Sequence, residues 1–124
     1  MAKAVATLLF SCTLLILAAP PLDGVEALSV RVTPTMAPEP AIVVVTAMVE
    51  ADARNRTLEI SASSEDYFRS SQVQLEGRDA RRVFDFAFHD IPHGRYEVIG
   101  TLTGTDGRRV EVTRVFMVLP RQRR

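Results

Sequence analysis

Hydrophobic and polar residues alternate with a period of two along most of the chain beyond residue 27. Leu58, Ile60 and Ala62 recur at every second position with polar residues between them, and phenylalanines repeat the pattern over residues 84–88. Successive side chains of a β-strand point to opposite faces, so this period places one apolar set on one face. No helical period of useful length accompanies it. The pattern predicts an all-β chain.

Turn residues divide the chain into about seven strand-like segments, which predicts two antiparallel sheets packed face to face. The predicted strands cover residues 28–32, 41–49, 58–63, 73–77, 84–89, 96–102 and 109–119. Prolines at three of the eight positions from Thr33 to Pro40 predict an extended connection there, because proline removes a ladder donor. Ala41–Val49 is so apolar that we expect a strand buried on both faces.

The last predicted strand changes phase. Val110 and Val112 set one inward phase, Arg114 then occupies that phase, and Val115–Leu119 is apolar on both faces. A β-bulge near Thr113 would shift the phase by one residue. Alternatively, this segment pairs with a strand from outside its own domain.

The N-terminus has the pattern of a cleaved secretory signal. Lys3 precedes an apolar run over residues 4–19, which is shorter than the roughly 18–20 residues of a membrane span. Prolines end the run, and Val25-Glu26-Ala27 offers small residues for signal peptidase. We predict a signal peptide at residues 1–27, with an uncleaved anchor as the alternative.

Export would leave one β-sandwich domain, residues 28–124, in the periplasm or outside the cell. The only cysteine, Cys12, lies in the leader, so the domain would have no disulfide and no thiolate ligand. Its arginines and acidic residues are interleaved and form no basic stripe, which argues against nucleic-acid binding. We predict no membrane span in the mature chain and no cofactor.

A corner motif precedes the last two strands. Pro92 and Gly94 force a change of direction, and Tyr96 is the first inward aromatic of the strand that follows. An Asp-Gly turn within residues 104–107 then predicts a β-hairpin.

The segment Phe86–Val98 resembles the F-x-F-x-x-L-P-x-G-x-Y-x-V segment of prealbumin-like sandwiches, which include carboxypeptidase-regulatory-like domains. It also resembles the corner before strand F of immunoglobulin-like and fibronectin type III modules. The resemblance implies a structural corner of Pro92, Gly94 and Tyr96, with the tyrosine hydroxyl bonded to nearby backbone. It also implies a module that binds, spaces or supports. Val98 stands where antibody-like domains have their second cysteine, and the choice between the two topologies stays open.

Two sets of residues are candidates for a site. His89 and His93 are the only histidines and flank the corner, but a metal would require a further convergent ligand, so we predict no metal site. Tyr67, Phe68 and Arg69 lie beside a turn, and Tyr and Arg are enriched in interfaces. They predict a recognition segment, unless Tyr67 or Phe68 caps the open end of the core.

Other arrangements offer less. The serine pairs at residues 63–64 and 70–71 have no base and orienting acid nearby in the sequence, so we expect their hydroxyls to face water. We therefore predict a non-catalytic exported binding or accessory module for a protein or carbohydrate surface. One alternative is a strand-pairing, chaperone-like protein that uses Val115–Leu119. The other is a small metal-binding or hydrolytic enzyme that uses His89 and His93.

Overall fold

A computed structural model of the chain describes residues 27–77 and 81–122. Eight β-strands run in chain order: β1 Leu28–Thr33, β2 Met36–Pro38, β3 Ala41–Val49, β4 Asn55–Ser63, β5 Phe68–Gln74, β6 Val83–Ile91, β7 Gly94–Gly104 and β8 Arg109–Leu119. The predicted leader lies outside the described residues, except for Ala27. No helix within the described ranges is long and apolar enough to cross a membrane.

The strands form two sheets, which confirms the predicted all-β sandwich. One sheet has the order β1-β3-β6, and the other has the order β2-β8-β7-β4-β5. Neighbouring strands pair antiparallel except β2 and β8, which pair parallel. A small sheet built from the first, third and sixth strands, facing a sheet centred on the last two, is an immunoglobulin-like arrangement.

The extra strand, β2, lies within the proline-rich connection. It pairs with Met117–Leu119 of β8. The backbone N–H of Met117 donates to the carbonyl of Thr35, and the N–H of Glu39 donates to the carbonyl of Leu119. A short strand at the sheet edge needs few donors of its own, so prolines are tolerated there. The prediction that this connection contains no strand is therefore wrong.

The core lies between the two sheets and contains the predicted apolar faces. Phe86 and Phe88 of β6 point inward, as do the alternating residues of β4 and β7. Each buried large apolar side chain contributes about 1.5–3 kcal/mol relative to exposure. The largest fully buried side chains are Tyr96, Phe116, Leu28, Leu58, Ile60, Ile91, Val43, Val45, Val98 and Val118.

Strand β3 is buried on one face only, which corrects the prediction that both faces are covered. Its inward residues contact the core, but Ile42 is 58% exposed and Met48 is 52% exposed. A strand in a two-layer sandwich has a partner layer on one side, so its second face is open to solvent however apolar it is.

Strand β8 has no bulge near Thr113. Its pairing with β7 is continuous from Val118, opposite Gly94, to Arg109, opposite Thr103. Arg114 keeps the inward phase because its Nε donates to the carbonyl of Val30 on β1 at 3.1 Å. A charged group can occupy an inward position when it lies at the side of the sandwich and finds a backbone acceptor.

Candidate functional site

The connection between β6 and β7 forms a tight corner at one end of the sandwich. Asp90 has a φ of 56° and Gly94 a φ of 154°, both in the left-handed region. The hydroxyl of Tyr96 donates to the carbonyl of Pro92 at 2.7 Å. The ring of Tyr96 stacks on that of Phe116, with centroids 4.8 Å apart. Buried aromatic packing thus supports the corner.

Glu39, just after β2, binds the corner from a distant part of the sequence. One carboxylate oxygen, Oε2, lies 3.0 Å from the backbone nitrogen of His93 and 2.8 Å from its Nδ1. The other oxygen accepts the backbone N–H of Arg121 at 2.9 Å. The N–H of Arg121 and the His93 donors lower the pKa of Glu39 from 4.5 to about 2. The carboxylate is therefore ionised at neutral pH.

This contact fixes the role of each imidazole nitrogen of His93. An ionised carboxylate only accepts hydrogen bonds, so Nδ1 must carry the proton that lies between the two groups. In the neutral ring Nε2 is then the free base. The side chain of His93 is 60% exposed, while that of Glu39 is 25% exposed. The pair thus presents an oriented proton acceptor to solvent.

A cleft of about 430 Å³ opens beside this pair. It is lined by residues of the β4–β5 turn and of the corner: Ser64, Glu65, Asp66, His93, Gly94 and Arg95. The Oγ of Ser64 lies 3.7 Å from the position that a Cβ on Gly94 would occupy. Burial raises the pKa of Tyr96, and the Ser64 hydroxyl partly offsets that rise. A hydroxyl and an oriented imidazole therefore line the same cleft.

The predicted recognition residues do not share one surface. The ring of Tyr67 packs edge-on against Tyr96, with centroids 5.7 Å apart, and the guanidinium of Arg69 lies 5.6 Å from the Tyr67 ring centroid. The hydroxyl of Tyr67 is buried without a hydrogen-bond partner among the described residues. Phe68 is 69% exposed and pairs with Ser63, on the outer face of the five-stranded sheet. Tyr67 therefore covers the end of the core, while Phe68 points away.

The two histidines also lie in different environments. His89 is exposed on the outward face of β6, whereas His93 is bound to Glu39. Asp85, which is also exposed on β6, accepts a hydrogen bond from Thr46 at 2.7 Å. Within residues 27–77 and 81–122, no group of three or more His, Cys, Asp or Glu side chains could hold a metal ion.

Glu39 was not predicted as a site residue, and Ser64 was not connected with His93. Glu39 and His93 are 54 positions apart, and no periodicity connects them. The flanking prolines, Pro38 and Pro40, are the only signal that the acidic residue occupies a fixed position. Ser64 lies in the turn after β4, so it reaches the corner only because β4 pairs with β7.

The opposite end of the sandwich holds a second charged cluster. Arg54 binds Asp52 with Nη2 at 2.9 Å and Nε at 3.1 Å, and Arg108 adds Nη1 at 2.9 Å. Asp106 lies 3.4 Å from Nη1 of Arg54. The Arg54 side chain holds the pKa of Asp52 well below its usual range. Because guanidinium groups stay charged, this cluster offers no group that exchanges protons near neutral pH.

No protein-family model and no curated protein matches the sequence. Among solved structures, the chain is similar to a superoxide reductase (neelaredoxin) from Ignicoccus hospitalis, with 14% identity and a TM-score of 0.55. The match covers 76% of this chain and 81% of that one. Two single-substitution variants of the same protein match over the same shares at 14% identity and TM-scores of 0.57. At this identity the likeness shows the fold alone.

These comparisons correct the predicted function. A non-catalytic module was predicted from families of sandwiches that mostly bind or support, but the solved structures named above are those of a superoxide reductase, so that prediction is wrong. The strand-pairing alternative is also wrong, because it requires an unpaired backbone edge on Val115–Leu119. Met117 and Val118 in that segment lie between β7 and β2, so both of their backbone edges are already paired.

The described residues do not fit the chemistry named in those similar structures. Reduction of superoxide transfers an electron, and a redox metal that supplies it needs several converging ligands. Residues 27–77 and 81–122 contain no such group. The cleft instead offers an oriented imidazole and a hydroxyl, beside Glu65, Asp66 and Arg95.

Proposed function

We propose that the chain is a small exported hydrolase that acts on acyl substrates in the cleft beside the corner. His93 is the general base, Glu39 orients it, and Ser64, which lines the same cleft, is the nucleophile. The observation that carries the proposal is the 2.8 Å contact between Glu39 and Nδ1 of His93, because it leaves Nε2 as the base of a side chain that is 60% exposed. A base oriented by a carboxylate is the core of nucleophilic acyl transfer.

Acylation involves two proton transfers, and deacylation repeats them with water. Nε2 of His93 accepts the proton of the Ser64 hydroxyl as its oxygen attacks the acyl carbon, and the carboxylate of Glu39 stabilises the imidazolium that forms. The imidazolium then gives the proton to the leaving alcohol, and the carbon–oxygen bond of the ester breaks. Water attacks the acyl-enzyme by the same route, which returns the serine hydroxyl and releases a carboxylic acid.

Export is part of this proposal. The apolar run and the small residues at Val25 and Ala27 support a leader at residues 1–27 that delivers the domain of residues 28–124 to the periplasm or beyond. The intact mass of protein recovered from an exported fraction tests this step, with Leu28 expected as the first residue. A mass that includes residues 1–27 would favour the uncleaved anchor.

Hydrolysis of p-nitrophenyl acetate by the purified protein tests the chemistry. We expect His93→Ala to lower kcat/KM about 100-fold or more, the usual range for a lost general base. Ser64→Ala should lower it similarly, and Glu39→Gln should lower it less because Nε2 survives. His89→Ala is the matched control, since that histidine lies on the outer face of β6 and should leave the rate unchanged.

The variants also separate two versions of the mechanism. If Ser64→Ala keeps the activity that His93→Ala loses, the base acts directly on water. The proposal is wrong if the unmodified protein hydrolyses the ester no faster than His93→Ala, with both shown to be folded by far-UV circular dichroism.

A further inference from the structure

The outer face of the three-stranded sheet exposes large apolar side chains. Ile42 and Met48 on β3 are 58% and 52% exposed, and Val83 on β6 is 44% exposed. Met48 pairs directly with Val83, so the two side chains are neighbours on this face. We call this surface the β3 face, defined by the outward residues of β1, β3 and β6.

A row of three polar residues crosses the β3 face. Arg31 pairs with Thr46, and Thr46 pairs with Asp85, so the three lie side by side on β1, β3 and β6. The Thr46 hydroxyl donates to Asp85 at 2.7 Å. Two strand spacings separate the outer members by about 10 Å. The row therefore carries a positive charge at one edge of the sheet and a negative charge at the other.

This charge pattern is complementary to itself under one symmetry operation. If two β3 faces meet about a two-fold axis parallel to β3, each β3 lies over its copy. Arg31 of each molecule then faces Asp85 of the other, which gives two equivalent opposite-charge pairs. An axis perpendicular to the strands would instead oppose Arg31 to Arg31 and Asp85 to Asp85. A two-fold interface repeats each contact in this way.

We propose that the β3 face binds a second copy of this chain in a two-fold dimer whose β3 strands lie in register. The apolar residues supply the contact, and the Arg31–Asp85 pairs set its orientation. A face of three strands and about nine residues covers about 400 Å² per copy, half of a standard interface, so the dimer is weak and reversible. The inference does not depend on the proposed hydrolase, because the β3 face does not line the cleft.

Sedimentation velocity of the purified protein over a range of concentrations tests the dimer. We expect a reversible monomer–dimer equilibrium, which Met48→Glu weakens about tenfold or more because it places two carboxylates in the contact. Met117→Glu is the matched control, since Met117 is 38% exposed on the outer face of the other sheet. It should leave the dimer unchanged.

Charge reversal tests the orientation. Arg31→Asp and Asp85→Arg should each weaken the homodimer, because each places like charges opposite one another twice. An equimolar mixture of the two variants should dimerise at least as well as the unmodified protein, since both cross-pairs are then of opposite charge. Pairing of Arg31 with Asp85 inside one molecule would not produce this recovery.

Three results would overturn the proposal: a monomer at every concentration, a mixture that stays monomeric, or a dimer lost with Met117→Glu but kept with Met48→Glu. Unfolding is monitored by circular dichroism on each variant. Hydrolysis of p-nitrophenyl acetate should be unchanged in all of them, so a failure here is distinct from a failure of the hydrolase.

Discussion

The two ends of the sandwich hold a carboxylate in similar ways but with different donors. At one end Asp52 accepts hydrogen bonds from the guanidinium groups of Arg54 and Arg108. At the other end Glu39 accepts them from His93 and from the backbone of Arg121. Both carboxylates have lowered pKa values. A guanidinium keeps its proton, whereas an imidazole can exchange one, so only the second end is equipped for acid–base chemistry.

The two ends also differ in what supports them. Tyr96 and Phe116 stack beneath the corner. The arginine end is instead shaped by backbone turns, in which Gly77 and Gly107 adopt left-handed φ values of 62° and 77°. A cleft supported by buried rings keeps its geometry, and a site of precise chemistry needs such support.

Removal of the aromatic support should have the largest effect. Tyr96→Ala deletes a fully buried ring, and we expect a loss of about 3–5 kcal/mol in the free energy of unfolding, measured by urea denaturation. Tyr96→Phe keeps the ring and loses the hydroxyl's bond to Pro92 and its interaction with Ser64, so it should cost about 1 kcal/mol. Equal losses for both variants would show that the hydroxyl, and not the packing, supports the corner.

A backbone change at the arginine end should have an intermediate effect. Gly77→Ala combines a left-handed φ with a Cβ only 2.9 Å from the carbonyl oxygen of Ala53, and we expect a loss of about 2 kcal/mol or more. Gly107→Ala shares the left-handed φ but has no atom within 4 Å, so about 1 kcal/mol is expected. Urea denaturation of both variants measures the difference. A larger loss for Gly107→Ala would contradict this account.

The smallest expected effect is in the pH dependence of stability, which should differ between Glu39 and Asp52. The folded-state pKa of Glu39 is lowered, so its contribution to the free energy of unfolding is fully present above pH 4.5. That contribution disappears as the pH falls towards 2. The stability penalty of Glu39→Gln at pH 7 should therefore shrink over this interval. The penalty of Asp52→Asn should persist to lower pH, because the pKa of Asp52 is lowered further below its usual range. Urea midpoints between pH 7 and pH 2 test this order, and a Glu39→Gln penalty that is independent of pH would refute it.

The sequence was sufficient for most of the fold because burial on one face leaves a period of two. The inward phenylalanines of β6 and the inward Tyr96 of β7 follow directly from that period. The period does not reveal how many layers cover a strand, so β3 was expected to be buried on both faces. It also does not reveal the acceptor that Arg114 finds on β1, which removes the need for a bulge.

The candidate site could be predicted only in part. His93 was named only in the enzyme alternative, together with His89, because the two are the only histidines and flank the corner. The other site residues depend on pairings across the fold: Glu39 binds His93 because β2 joins the edge of β8, and Ser64 lines the same cleft because β4 pairs with β7. Predicting such contacts requires the register between several strands. The alternation within one segment carries no information about that register.

The backbone N–H of Arg121 ends on the same carboxylate that orients His93. The chain therefore leaves its last strand at the mouth of the cleft. A flexible peptide joined behind this point would be held near the imidazole at an effective concentration in the millimolar range for a short linker. An ester carried on such a peptide would become an intramolecular substrate of the proposed hydrolase.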